Sequence, residues 1–482
     1  MNSWRWDLIE VTGETVTFRT QLKMQGKMTK PTTLRRSVSM ILLLQLIMLP
    51  QGANASEKLV EDLFHYIDAH QDDFVQNLKD WVAVPSDSSD PQFREELIRM
   101  VQMTAEKIRT LGASVQLVDM GFETLQGGQK IKFPPAILAK LGKDTDKATV
   151  CFYGHVDVQP AKKEDGWKTD PYTMTETNGN LYGRGATDNK GPVLAWIHAI
   201  DAYIATKKDI PVNLKFIIEG VEETGSPGLE ELLKEHEDFF SDVDYVVISD
   251  NVWLSRKPAL TYGTRGNAYF FIEVESGKKD LHSGTFGGII HEAMRDLVYL
   301  LASLVDTSGH ILIPGIYDDV APLSEEEKTL YENIDFDMEE HKNSTEVNTF
   351  LYNTKVKTYL EDVFAKLKSP NKLTVSLEIG AMPWVANVND PQYEAAKISI
   401  RKVFGVTPDM IRDGSTIPLA RTFQDLTKKR VMMLPIGGAD DGEHSQNEKI
   451  SRSNYIQGTK IFASFFLELS KLHKDLQTKS NS

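Results

Sequence analysis

The sequence predicts an α/β fold, a sheet sandwiched between helices, with a further region of different character. Three observations predict it. Short apolar runs alternate with helical stretches between about residues 148 and 249, as in a sheet covered on both faces. From about Pro258 the pattern changes to an aromatic strand, a helix and a charged excursion. The chain, at 482 residues, exceeds one ordinary domain, so two or three are expected.

The elements follow from periodicity. Ser56 can cap a helix carrying Leu59, Val60, Leu63, Phe64 and Ile67 at helical spacing. A second helical pattern covers Glu95–Leu111 and stops at Gly112. Ala148–Tyr153, Val212–Ile218 and Tyr245–Ser249 read as strands, Gly191–Ala205 and Leu229–Phe240 as helices. Tyr269–Glu275 reads as an aromatic strand, Gly288–Val305 as a helix and Pro322–Asn353 as a surface excursion. Strand and helix patterns resume at Leu373–Glu378 and Gln392–Val403, followed by a buried strand at Val431–Pro435 and a closing helix at Tyr455–Leu472.

Apolar residues make up 41% and charged residues 26% of the chain, enough to bury a full core. The net charge of -15 argues against nucleic-acid binding through a general basic field. The single cysteine, Cys151, permits neither an intrachain disulfide nor a cysteine-based zinc site, and reads as a small core residue. Near the N-terminus, Lys30, Arg35 and Arg36 precede the apolar run Met40–Pro50, and Gly52-Ala53-Asn54-Ala55 offers a cleavage site after Ala55. This reads as a secretion signal, with an N-terminal helix as the alternative. The run is too short to span a bilayer, so no membrane anchor is expected. Translation could start at Met1, Met24, Met28 or Met40. The sequon at Asn343 suits glycosylation of a secreted loop.

Five short runs carry the chemistry: Gly154–Asp157, Thr187–Lys190, Glu219–Glu223, Ile248–Asn251 and Asp441–Ser445. Together they supply two His, two Asp and a Glu for a pair of divalent ions, with one Glu spare for proton transfer. The first, third and fourth runs follow predicted strands, where open α/β sheets bind ligands. His155 ends a strand, and Asp157, two residues on, shares its face and can hold the other ring nitrogen. Asp188 has two oxygens and could bridge two cations; its Gly-rich surroundings, Gly183–Gly191, could instead cradle a phosphate, without the Gly-Lys-Ser/Thr ending of a nucleotide loop. Glu222 and Glu223 are adjacent acids that repel unless a cation or proton relieves them, so one can ligate while the other acts as base. Asp250 ends a buried strand and needs a partner. His444 lies in an acidic loop. Each is ambiguous alone. His282 stands apart from these runs and could polarise a substrate carbonyl. No G-x-S-x-G nucleophile is present.

At these residues the chain resembles the dinuclear metallopeptidase family of aminoacylases, carboxypeptidases and dipeptidases. It is closest to the branch of carnosinase and the cytosolic dipeptidase, from about Ser56 to Leu472, above all over Leu181–Ile197 and Ala439–Ile450. Asp413–Pro418 and the secretion signal favour the secreted side of that branch. The resemblance implies a three-layer catalytic domain with a mixed sheet, formed by residues 56–258 and 386–482. It also implies a smaller α+β dimerisation (lid) domain over 259–385, all following a leader over 1–55. Asp188 would bridge two ions, zinc before manganese or cobalt, with His155 and Asp250 on one and Glu223 and His444 on the other. Glu222 would be the general base and Asp157 would orient His155. His282 would reach across a homodimer to the partner's site, and Ser415 or Thr416 would meet the substrate carboxylate. The implied reaction is metal-dependent hydrolysis of dipeptides, of Xaa-His type such as β-alanyl-histidine. An aminoacylase acting on N-acyl amino acids is the weaker alternative.

The lid departs from the family pattern. Thr354 passes almost directly to Val356–Leu360, and roughly fifty to sixty residues of that pattern have no counterpart. They would carry sheet strands and a substrate-clamping arginine. Their loss is expected to expose edges and apolar faces. It also opens a second reading, a metal-binding but inactive variant that modulates dimerisation.

Overall fold

The computed structural model describes residues 51–482, apart from 126, 280, 308–309, 318–323, 333, 336–362, 365, 415–416 and 481–482; the side chains of residues 51–55, 267–269, 376–381 and 480 are also outside the description. The leader up to Pro50, Asn343, Ser415 and Thr416 therefore lie outside the described residues.

A nine-stranded sheet organises the chain. Its order is Ser114–Val118, Ala136–Leu141, Asn213–Glu219, Thr149–His155, Tyr245–Ile248, Arg430–Met433, Ala259–Thr264 and Trp384–Val385, with Asp409–Arg412 also paired to Ala259–Thr264. The four strands Asn213–Glu219, Thr149–His155, Tyr245–Ile248 and Arg430–Met433 run parallel, and antiparallel pairs flank them. The sheet is mixed, as expected. Ala259–Thr264 and Trp384–Val385 both fall within 259–385, so the two ends of that segment are used by the central sheet.

The parallel strands are apolar along nearly their whole length because both faces are covered. In Thr149–His155, Val150 and Phe152 enter one core cluster and Cys151 and Tyr153 the other. Asn213–Glu219 divides the same way, with Phe216 on one face and Ile217 on the other. One face packs against Lys190–Ala205, Arg452–Ser480 and Pro391–Phe404; the other packs against Leu229–Glu235 and Pro418–Thr427. Cys151 is a core residue as read, and burial pushes its thiol up to about 12.

Several local expectations shift. The first helix runs Gln51–Ala69, so Ser56 lies inside it and does not cap it. Leu229–Phe240 breaks at His236 into two short helices. Gly288–Val305 shortens to Ala293–Ala302. Gly112 does end its helix, at a φ of +85° that favours glycine.

Beyond the central sheet, Asn267–Glu275 pairs antiparallel with Lys372–Ala381. Leu300 of Ala293–Ala302 packs on this ribbon with Val363 and Val375. The opposite side of that helix leaves Met294, Val298 and Tyr299 more than half exposed. No described helix is long and apolar enough to cross a membrane.

His198 is buried between the sheet-covering helices, stacked on Phe74 at 4.0 Å and hydrogen-bonded to Tyr455 and Asn77. Burial holds its pKa well below the usual imidazole value. The unfolded chain, at about 6.5, therefore takes up a proton that the folded chain refuses. Stability falls as pH drops below about 6.5, by about 1.4 kcal/mol per pH unit from this ring. His198→Gln is expected to remove that increment. Urea unfolding at pH 6 and pH 5 checks it, since equal pH slopes for both proteins would contradict it.

Candidate metal centre

The parallel strands deliver their carboxyl ends to one rim of the sheet, and the predicted residues gather there. His155 is the last residue of Thr149–His155. Glu222 and Glu223 open a single turn three residues after Asn213–Glu219. Asp250 follows Tyr245–Ile248, and Asp188 precedes the helix Lys190–Ala205. His444 comes from the long loop after Arg430–Met433, at a φ of +56° that is uncommon for a residue with a side chain.

Asp188 is the hub. Its Oδ1 lies 3.1 Å from His155 Nε2, which is also 3.1 Å from Asp250 Oδ1. Its Oδ2 lies 3.0 Å from His444 Nε2, which is also 3.0 Å from Glu223 Oε2. One carboxylate thus faces two separate His–acid pairs, one through each oxygen. Asp157, fully buried, supports both halves of the rim. Its Oδ1 is 3.3 Å from His155 Nδ1. The same carboxylate accepts the backbone N–H of Glu222 at 3.2 Å and of Glu223 at 3.0 Å. The expected contact with His155 is present, but its reason differs. The strand ends at His155, so Asp157 reaches the ring from the following loop and not from a shared strand face.

Glu222 stands slightly back, its Oε2 3.9 Å from His155 Nε2 with 19% of the side chain exposed. Among the described residues, two overlapping sets of donors could hold an ion: His155, Asp188 and Glu223, and His155, Glu222 and Asp250. The second set admits Glu222 as a ligand, whereas the sequence reading makes it a base. Asp188 and Asp250 both lie at 3.1 Å from His155 Nε2, closer than Glu222.

The electrostatics show what the site requires. Burial raises Glu222 well above the usual carboxyl value, with Asp250, Glu223 and Asp157 adding to it against the pull of His155. Burial, then Asp188, pushes Glu223 up to about 7. Asp250 is raised by burial, against the pull of His155. Asp188, despite its burial, is held low by His155 and His444. Hydrogen bonds to Asp188 and Glu223 push His444 up to about 11. Burial opposes a charge on His155, but Asp250, Asp157 and Asp188 outweigh it and raise the ring. So many acids in one enclosed place are relieved by protons or by cations. Imidazole and carboxylate donors with no thiolate suit zinc, manganese or cobalt. The residues fit divalent metal.

The alternative of a phosphate cradle fails. Lys190 is fully buried and donates to Trp81 O at 3.1 Å and Val84 O at 2.8 Å, and burial pushes it down to about 7. It cannot offer its charge to a phosphate.

The structure does not bring His282 to this centre. It is exposed, and its Nδ1 accepts the N–H of Gly284 at 3.0 Å. Two neighbours escaped sequence reasoning. Glu443 precedes His444, and burial followed by Asp188, Asp250 and Asp413 raises its carboxyl well above normal. Gln159 donates to Glu223 Oε2 at 2.8 Å. The acidic run Asp440–Glu443 was a signal for the first; nothing in sequence marked the second.

Comparison with known proteins places the chain among peptidases. The model of peptidase family M20/M25/M40 matches residues 151–468. The mouse β-Ala-His dipeptidase is 55% identical over 488 aligned positions, covering 89% of this chain and 99% of that protein. Since 89% of 482 residues is about 429, about 59 of the 488 positions fall opposite gaps in this chain. The crystal structure of human carnosine dipeptidase 1 superposes with a TM-score of 0.80 at 54% identity, covering 86% of this chain and 99% of that one. Dug1p, a dipeptidase from Saccharomyces cerevisiae, gives a TM-score of 0.80 at 36% identity, covering 86% and 98%. The chain belongs to peptidase family M20/M25/M40, whose members are metal-dependent.

Proposed function

We propose that the chain is a metallodipeptidase that cleaves dipeptides of the Xaa-His type, β-alanyl-histidine foremost, with two divalent ions, zinc before manganese or cobalt. One observation carries the reading: the two oxygens of Asp188 face two separate His–acid pairs. His155 and Asp250 would hold one ion, Glu223 and His444 the other, and Asp188 both. When bound, such ions lower the pKa of water and polarise the scissile carbonyl. The protein's own groups do the rest. Asp157 fixes the ring of His155 and the turn that carries Glu222 and Glu223. Glu222 takes a proton from the attacking water at Oε2 and returns it to the leaving amine. The names of the mouse and human relatives support the substrate class.

The remaining parts of the reading concern assembly and address. A homodimer would bring His282, exposed in its own chain, to the partner's site, and Ser415 or Thr416 would receive the substrate carboxylate. The leader and Asn343 fit a secreted glycoprotein. Light scattering on the mature chain tests the dimer, and a monomeric mass would leave His282 without a site to serve.

The departure from the family pattern read in the sequence after Thr354, taken with the roughly 59 gapped positions, supports a second reading: a chain that binds metal without turnover and modulates dimerisation. Hydrolysis of β-alanyl-histidine with added zinc or manganese, measured beside metal content, separates the two. Turnover supports the first reading; two bound ions without turnover support the second and overturn the first.

A further inference from the structure

Glu448 is fully buried and lies four residues beyond His444. All four of its contacts are N–H donors, and all belong to the segment that ends in Asp188. Its Oε1 accepts the backbone N–H of Thr187 at 3.0 Å and of Asp188 itself at 3.1 Å. Its Oε2 accepts Gly185 N–H at 3.0 Å and Arg184 Nη1 at 2.8 Å. The Glu448 backbone carbonyl takes the N–H of Gly183 at 2.9 Å. From there Lys449–Ser451 continues as a strand against Asn180–Tyr182.

The loop has little room to adjust by itself. A side chain at Gly191 would meet Ala186 O at 2.1 Å, so the helix Lys190–Ala205 is seated directly on it. A second tie joins the same two segments: Thr187 Oγ1 donates to Asp441 Oδ2 at 3.1 Å, and Lys449 Nζ donates to Asp441 Oδ1 at 2.9 Å. The turn bearing His444 and the loop bearing Asp188 are thereby locked together across some 260 residues of sequence. The interval between the two groups that must share an ion is set by this clasp, and its centre is one carboxylate.

We propose that Glu448 is a positioning residue for the metal centre: its carboxylate fixes the backbone of 185–188 so that Asp188 presents one oxygen to each His–acid pair. The inference rests on the reading of Asp188 as a shared ligand. It assigns Glu448 no contact with substrate or ion. Groups that orient metal ligands typically cost about 10–100-fold in metal affinity when replaced.

The test is zinc affinity of the full chain by competition with a chelating dye, with the visible spectrum of the cobalt-loaded protein as a geometric readout. Glu448→Gln keeps the shape of the side chain but replaces one acceptor oxygen by a donor facing N–H groups. It is expected to weaken zinc about 10–100-fold and to alter the cobalt bands. Arg184→Met breaks the same ion pair while leaving the three backbone bonds of the carboxylate, and is expected to hold zinc like the parent. If Glu448→Gln does not fold, Glu448→Asp keeps the charge opposite Arg184 but is too short for all four contacts; weakened zinc binding is again expected. Parent-like affinity and cobalt spectrum in the Glu448 variants would overturn the inference. So would an equal loss in Arg184→Met, which would mark a purely structural ion pair. A parent chain that takes up fewer than two zinc ions would overturn the shared-ligand reading itself, and this inference with it.

Discussion

Glu222→Gln is expected to lower kcat for β-alanyl-histidine by at least about 10²–10⁴-fold, the usual contribution of a positioned acid–base group, while bound metal stays at the parent level. The argument is local. Asp157 holds the turn through the backbone N–H groups of residues 222 and 223, not through the Glu222 side chain. The amide of Gln fills the same space, so the turn and its neighbouring ligand Glu223 stay in place. What is lost is a proton acceptor whose pKa burial has already raised, the direction that suits a base working near neutral pH. The result also decides between the two donor sets. If Glu222 belongs with His155 and Asp250 as a ligand, the same substitution releases an ion. Steady-state kinetics beside metal analysis of the dialysed variant reads both. A normal rate would show the base assignment to be wrong, and a lost ion would show Glu222 to be a ligand.

What could be read in the sequence was the part governed by burial. The strands around Val150, Phe216 and Val247 are apolar on both faces because helices cover both, and their bounds shifted by only one or two residues. The metal-type residues were legible for the same reason. Acids and imidazoles at the ends of buried strands need partners, and Asp188, Glu223 and Asp250 found theirs in His155 and His444. Less legible was whatever depends on pairing between distant segments. Nothing local marks Glu448, because its four donors lie about 260 residues away. Asp157 meets His155 from a loop, where the strand period that points to the contact no longer applies. Ser56 carries the chemistry of a cap, but the helix continues through it from Gln51. Local propensity marks where a helix can begin and does not compel it to begin there.

Asp188→Asn should have the second large effect, and it should differ in kind. A carboxylate can offer an oxygen to each of two cations; an amide offers one oxygen and turns a donor toward the other pair. The His155–Asp250 and Glu223–His444 halves would each be left with two protein donors, and one half would face an N–H₂ group as well. Replacing groups that merely orient ligands weakens metal by about 10–100-fold, so removing a shared ligand is expected to cost at least about 100-fold at both positions, with kcat/KM falling at least as far. The chain should still fold, because the Asp188 backbone N–H that bonds Glu448 is unchanged by the substitution. Asp250→Asn provides the contrast. It touches the His155 half alone, so it should release one ion and leave the one between Glu223 and His444. Zinc titration of the two variants checks this asymmetry. An Asp188→Asn protein that kept one ion at parental affinity would show that the halves are independent, and that Asp188 serves one ion and not two.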